Sequence, residues 1–260
     1  MSATQDQKWL SSVQAEIKKF SRLFGIVYRS TKRERSASFE IGCFHMLLNN
    51  YSGIMDLVPN NLTKENEFRY LTTPSGNPSN FSWVQAISRA DNQIYQIRQQ
   101  VRIQSHWGKD IAFCPDLIVL KPDSEITDLK DPDYANGKRS FYTIDSSQVI
   151  AAHECKSLSP FPELLVSFIG MFEAAHAWFG VGENMRDMNY THDDGEHLAP
   201  CLFVGGDARP IQRRMIEALE KAFPINIVTG LHWSQFKLER GSGKAKYLAM
   251  SSTQKYESPF

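Results

Sequence analysis

Four apolar residues in a row, Leu117–Leu120 within "CPDLIVLKPD", leave this chain little choice of fold. The run is too short for a helix and lacks alternation, which marks a strand covered on both faces. "SQVIAAHECK" at 147–156 reads as a second strand of this kind. Sheets covered on both sides are covered by helices, so the class expected is α/β. The helices are legible too. Phe39–Asn50 forms one, with Ser36 or Ser38 as candidate caps and Gly53 near its end. Pro162 to about Phe179 forms another, apolar almost all round and so expected at the centre. "CLFVGG" at 201–206, a helix carrying Ile211, Met215, Leu219 and Phe223, and "INIV" at 225–228 make a strand–helix–strand unit.

The remaining segments are assigned by pattern. Leu10, Val13, Ile17, Phe20 and Leu23 predict an amphipathic helix over Gln5–Phe24, followed by a basic loop at 30–38. Tyr95–Ile103 alternates as a half-buried strand, with Gln96, Arg98, Gln100 and Arg102 on its polar side, although Ile94, Ile97 and Val101 would also suit a helix. The organisation expected is an N-terminal helix and basic loop (1–36), an α/β domain (37–240) and a polar tail (241–260). Within the domain, insertions are expected at about 60–93, 122–147 and 181–200.

Composition excludes several classes. The 260 residues hold 29 basic and 29 acidic side chains, so no overall basic charge draws the chain to nucleic acid; such contact needs a local patch or an assembled oligomer. Four scattered cysteines form neither a zinc motif nor a disulfide framework. No apolar run has the length of a membrane span, and residues 1–20 lack the apolar core of a signal peptide. The expected location is cytoplasmic, away from membranes.

One constellation carries chemistry. Alternation along the 149–156 strand puts Ile150, Ala152, Glu154 and Lys156 on one face, with His153 and Cys155 on the other. Asp116 opens the 117–120 strand just after Pro115, which cannot extend a ladder. If the two strands pair, Asp116 and Glu154 converge at one sheet edge. Two carboxylates with waters and a phosphate oxygen are a common way to hold magnesium, and the Cys155 carbonyl offers a further oxygen. Lys156 beside them is placed to orient or deprotonate an attacking water, or to offset phosphate charge.

"PD" at 115–116 followed by "ECK" at 154–156 resembles the PD-(D/E)XK nuclease superfamily. The resemblance implies a restriction-endonuclease-like mixed central sheet flanked by helices, and a magnesium-dependent endonuclease acting on double-stranded DNA, with manganese able to substitute. It also implies an acid on the helix before the sheet. Glu40 is the matching residue, on one helical face with Cys43, Phe44 and Leu47. The earlier "ASFE" helix and "SSQVIAAHECK" are similar to effector nucleases of bacterial anti-phage defence, which act as oligomers triggered by a cyclic nucleotide. Two alternatives stay open: a nuclease-like scaffold without catalysis, and an effector silent until a nucleotide binds.

Plainer roles compete at each position. Glu154 and Lys156 suit a same-face ion pair, Asp116 a turn cap, and Glu40 a first-turn helix acid. His153 and His176 read as hydrogen-bonded core residues, and "HDDGEH" at 192–197 as a solvated loop. Cys155 has no triad partner. Lys32, Arg33, Arg35, Arg209, Arg213 and Arg214 are possible phosphate contacts, with Arg98 and Arg102, on one strand face, the first choice for binding DNA.

Overall fold

The computed structural model describes residues 35–64, 68–130, 140–177, 199–231, 236–240 and 248–252. Among the described residues helix α1 (Arg35–Tyr51) comes first, and both candidate capping serines, Ser36 and Ser38, lie inside it. The expected helix over Gln5–Phe24, Lys32, Arg33 and the "HDDGEH" loop lie outside the described residues.

After α1 the chain runs through β1 (Met55–Asn60), β2 (Trp83–Ser88), β3 (Ile94–Gln99), β4 (Arg102–Gln104), β5 (Ala112–Phe113), β6 (Leu117–Leu120), β7 (Thr127–Lys130) and β8 (Ser140–Asp145). It continues with β9 (Val149–Lys156), α2 (Pro162–Ala175), β10 (Cys201–Val204), α3 (Pro210–Ala222), β11 (Asn226–Val228), β12 (Phe236–Arg240) and β13 (Leu248–Ser252). A seven-stranded sheet has the order β1-β2-β3-β6-β9-β10-β11; it is antiparallel from β1 to β9 and parallel from β9 to β11. A smaller sheet of order β5-β4-β8-β7 lies apart from it, and β12 pairs with β13. The protein is therefore a mixed α/β structure around one large mixed sheet. Among the described residues no helix is long and apolar enough to cross a membrane.

Burial on both faces of β6 is visible in its packing. Leu117 and Val119 join the cluster under α1, with Phe39, Phe44, Leu47 and Phe203. Ile118 and Leu120 join the opposite cluster, with Val101, Ile103, Val149, Ala152 and Ala175. A third cluster packs α2 and α3 on β10 and β11 through Phe168, Phe172, Leu202, Val204 and Ile216.

Several expectations are corrected. Residues 83–88, placed within an excursion, form β2 of the main sheet, and the polar tail contains β13. Helix α2 ends at Ala175, and Glu163, Val166 and Ser167 on it face solvent, so it covers the sheet rather than filling the centre. Tyr95–Ile103 is not one strand. It breaks at Gln100, whose φ of 52° turns the chain from β3 in the large sheet to β4 in the small one. Finally, the β6–β9 register shifts between Val119 and Leu120, skipping Ile150. That bulge swings Ile150 to the α1 side with Ala151, away from Ala152.

Candidate active site

The site forms where β3, β6 and β9 end at one sheet edge. Leu117 stands opposite His153, and continuing that register sets Pro115 opposite Cys155. Proline has no N–H to give the Cys155 carbonyl, so the ladder ends there, and the Asp116 side chain serves as acceptor in place of a backbone carbonyl. Its Oδ2 accepts the Cys155 backbone N–H at 2.7 Å and Lys156 Nζ at 3.2 Å. The same Lys156 Nζ donates to Glu154 Oε2. The structure thus brings Asp116, Glu154 and Lys156 together across two paired strands, through a single ammonium.

Glu40 joins them indirectly. It is buried, with Cys43, Phe44 and Leu47 on its helical face in the α1 core. It lies in the second turn of α1, not the first, so a dipole role at the helix start is ruled out. The link is Gln100, whose Nε2 donates to Glu40 Oε2 at 3.1 Å and to Asp116 Oδ1 at 2.9 Å. The Gln100 backbone N–H reaches the Asp116 carbonyl at 3.1 Å, and Cys114 Sγ donates to Gln100 Oε1 at 3.7 Å. A left-handed backbone costs a non-glycine residue about 1–3 kcal/mol, so the surrounding contacts must hold it there. Sequence reading missed Gln100. The signal was present: the doublet Gln99–Gln100 breaks the alternation of "IYQIRQQVR" where the strand ends.

Charge is unevenly shared. The side chains of Asp116 and Glu154 are 10% and 16% exposed, while that of Lys156 is 35% exposed, so the ammonium forms the mouth and the acids lie behind it. Burial followed by the neighbouring charge of Asp116 pushes Glu154 up to about 7, against the pull of Lys156. Burial acts to lower the Lys156 ammonium, but Asp116 and Glu154 outweigh it and raise it above its usual value. The opposed senses have one cause: a single positive charge serves two buried carboxylates, so the lysine gains while one acid is left short. Burial pushes the thiols of Cys43 and Cys155 upward, which leaves both poor nucleophiles.

The two arginines chosen for DNA do not share a face. Arg98 lies on β3 with its guanidinium 4.5 Å over Trp83 and its Nε on Gln96 Oε1 at 2.8 Å. Arg102 lies on β4 of the other sheet, 4.7 Å over Phe141 and bonded to the Pro74 carbonyl at 2.7 Å. Gln100 between them is the reason, and each guanidinium already has protein partners. Arg209, Arg213 and Arg214 are exposed at the start of α3. The loop leading there is tied to the end of β9 by Gly205 N–H on the Lys156 carbonyl at 2.9 Å.

His153 and His176 are core residues. His153 Nδ1 accepts the Cys201 N–H at 3.1 Å, and His176 Nε2 accepts that of Ala152 at 3.1 Å. Burial pushes them down to about 3 and about 4, so both are neutral.

Does this donor set suit a divalent cation? Asp116 and Glu154 supply hard oxygens that already converge on one positive charge. The Cys155 carbonyl points to the Asp116 side, as its N–H does, because both groups of an extended residue face one edge. As the side chains stand, nitrogen atoms of Lys156 and Gln100 separate the acids, and no three His, Cys, Asp or Glu among the described residues are grouped to hold a metal ion. The chemistry fits magnesium, provided the ammonium yields its place between the carboxylates.

Compared with family models, curated proteins and solved structures, the chain matches none.

Proposed function

We propose that this chain is a metal-dependent nuclease that hydrolyses DNA phosphodiester bonds on a restriction-endonuclease-like sheet. The observation that carries the reading is one ammonium held jointly by Asp116 and Glu154 from neighbouring antiparallel strands. An isolated Glu–Lys pair on a strand edge would not need the second acid.

Asp116, Glu154 and the Cys155 carbonyl are the groups that would hold Mg²⁺ or Mn²⁺, with Glu40 as a further acid. When bound, the cation supplies phosphate neutralisation and a water of lowered pKa. Before a cation binds, Lys156 is raised by its carboxylate neighbours and stays protonated. Its role is therefore to orient water and offset charge on the phosphate, not to accept a proton. Its place at the mouth puts it first in the path of an incoming phosphate. With Arg98 and Arg102 engaged within the protein, backbone contacts to duplex DNA fall to the exposed Arg209 and Arg214, on the segment tied to β9.

The test is digestion of plasmid DNA with Mg²⁺ or Mn²⁺, with EDTA, and with Glu154→Ala and Lys156→Ala, each in the presence and absence of cyclic oligonucleotides. Cleavage that needs the metal and is lost in both variants supports the reading. Full cleavage by a folded Glu154→Ala protein would overturn it. Metal binding lost in Asp116→Ala but no cleavage under any condition would instead favour a binding or scaffold role.

A further inference from the structure

Gln100 has three properties that a linker between two sheets does not need. Its backbone sits at φ 52°, where asparagine and glycine are the easier residues. It is buried, although it is polar and lies between two strands rather than within either. And both protons of one amide nitrogen are used, one on Glu40 and one on Asp116.

The amide orientation is determined by its surroundings. Turned the other way, Oε1 would face two carboxylates and Nε2 would face the Cys114 thiol, losing both charge-assisted bonds. Glu40 comes from the helical layer and Asp116 from the sheet, and two buried acids brought close repel. A neutral group with two donors gives each carboxylate a hydrogen bond where they approach, and the left-handed backbone is what aims that group at them.

Resting on the metal-centre reading above, we propose that Gln100 is a positioning residue, the group that recruits Glu40 to the Asp116–Glu154 site and fixes the spacing of the acids before a divalent cation binds. It touches the carboxylates and not the cation. Its effect therefore appears as affinity for the metal, carried through Glu40.

Calorimetric titration with Mn²⁺ tests this without relying on cleavage. The proteins are the full chain, Gln100→Leu, Glu40→Gln, their double variant and Glu154→Gln, each checked for a cooperative thermal transition. Gln100→Leu is expected to weaken Mn²⁺ binding about 10- to 100-fold, the usual effect of removing a group that orients metal ligands. Glu40→Gln should weaken it similarly, and the double variant should be no worse than the weaker single one, because both remove one contact. Should Gln100→Leu fail to fold, Gln100→Asn suits the backbone but is one methylene short of both acids, and about a 10-fold loss is expected. Wild-type affinity in a folded Gln100 variant, or losses that multiply in the double, overturns the inference while Glu154→Gln still loses binding. If Glu154→Gln binds Mn²⁺ as the full chain does, the metal centre itself falls, and this inference with it.

Discussion

Replacing the proposed ligand Glu154 by glutamine should stabilise the protein in EDTA while removing its metal chemistry. In the folded chain Glu154 is pushed from its usual 4.5 to about 7, by burial and then by Asp116. At 1.36 kcal/mol for each pH unit, keeping it ionised costs at most about 3 kcal/mol. That cost already includes the pull of Lys156; the amide keeps an acceptor for the lysine, but its own buried NH₂ group needs a partner, which returns part of the gain. The net expectation is about 1–2 kcal/mol of added stability near pH 8, or a rise in Tm of about 2–8 °C for a chain this long.

The sign follows from proton counting. A raised carboxylate pKa means the folded state binds more protons than the unfolded one between 4.5 and about 7. Its contribution is therefore greatest below 4.5 and is lost as pH rises through 7. Glu154→Gln and the parent should melt together near pH 5 and diverge toward pH 8, with the variant higher. Saturating Mg²⁺ should reverse the order, since only the parent has both carboxylates for the cation. Thermal melts of the pair at the two pH values, with EDTA or Mg²⁺, decide the matter. A variant less stable than the parent near pH 8 in EDTA would refute the reasoning, because Lys156 would then more than offset burial and Asp116.

Other outcomes follow from the same geometry. Lys156→Met removes the charge shared by Asp116 and Glu154; since that lysine is 35% exposed, the loss is discounted to about 1–2 kcal/mol in EDTA, with Mg²⁺ recovering it in a thermal melt. Burial holds His45, His153 and His176 down at about 3, 3 and 4, so the folded state takes up fewer protons than the unfolded one. The stability they contribute is present above pH 6.5 and lost as pH falls toward these values, so urea midpoints should drop steadily on acidification. Gly206→Ala places a methyl 2.5 Å from Ser159 Oγ and 2.7 Å from its Cα, backbone that cannot easily yield; a loss of about 1–3 kcal/mol in urea denaturation is expected.

What the sequence revealed and what it hid divide along physical lines. The β6 and β9 strands were legible because burial on both faces writes itself as an uninterrupted apolar run. The acids and Lys156 followed from strand alternation beyond those runs. The break at Gln100 showed only as the polar doublet Gln99–Gln100, because apolar alternation resumes beyond it: Tyr95 and Ile97 before it, Val101 and Ile103 after it, are all buried, but in different clusters. Pairing Arg98 with Arg102 failed for that reason. The β2 strand was hidden by its half-polar content, "WVQAIS", which follows a turn-rich stretch. The bulge at Ile150 is a matter of register, which depends on the partner strand and is not written in either sequence alone.

The position of Pro115 explains why an acid site forms at this edge at all. Were residue 115 to carry an N–H, the register would let it bond the Cys155 carbonyl and continue the β6–β9 ladder. The sheet would then close over the place where Asp116 now reaches. Proline leaves that carbonyl without a backbone donor and the pairing ends at Leu117, while the Cys155 N–H bonds Asp116 Oδ2 rather than a backbone carbonyl. That one bond orients the carboxylate, directs its other oxygen to Gln100, and sets Lys156 against both acids. A break in the ladder of backbone hydrogen bonds is thus filled by a side chain, and the chemistry of the site lies in that substitution.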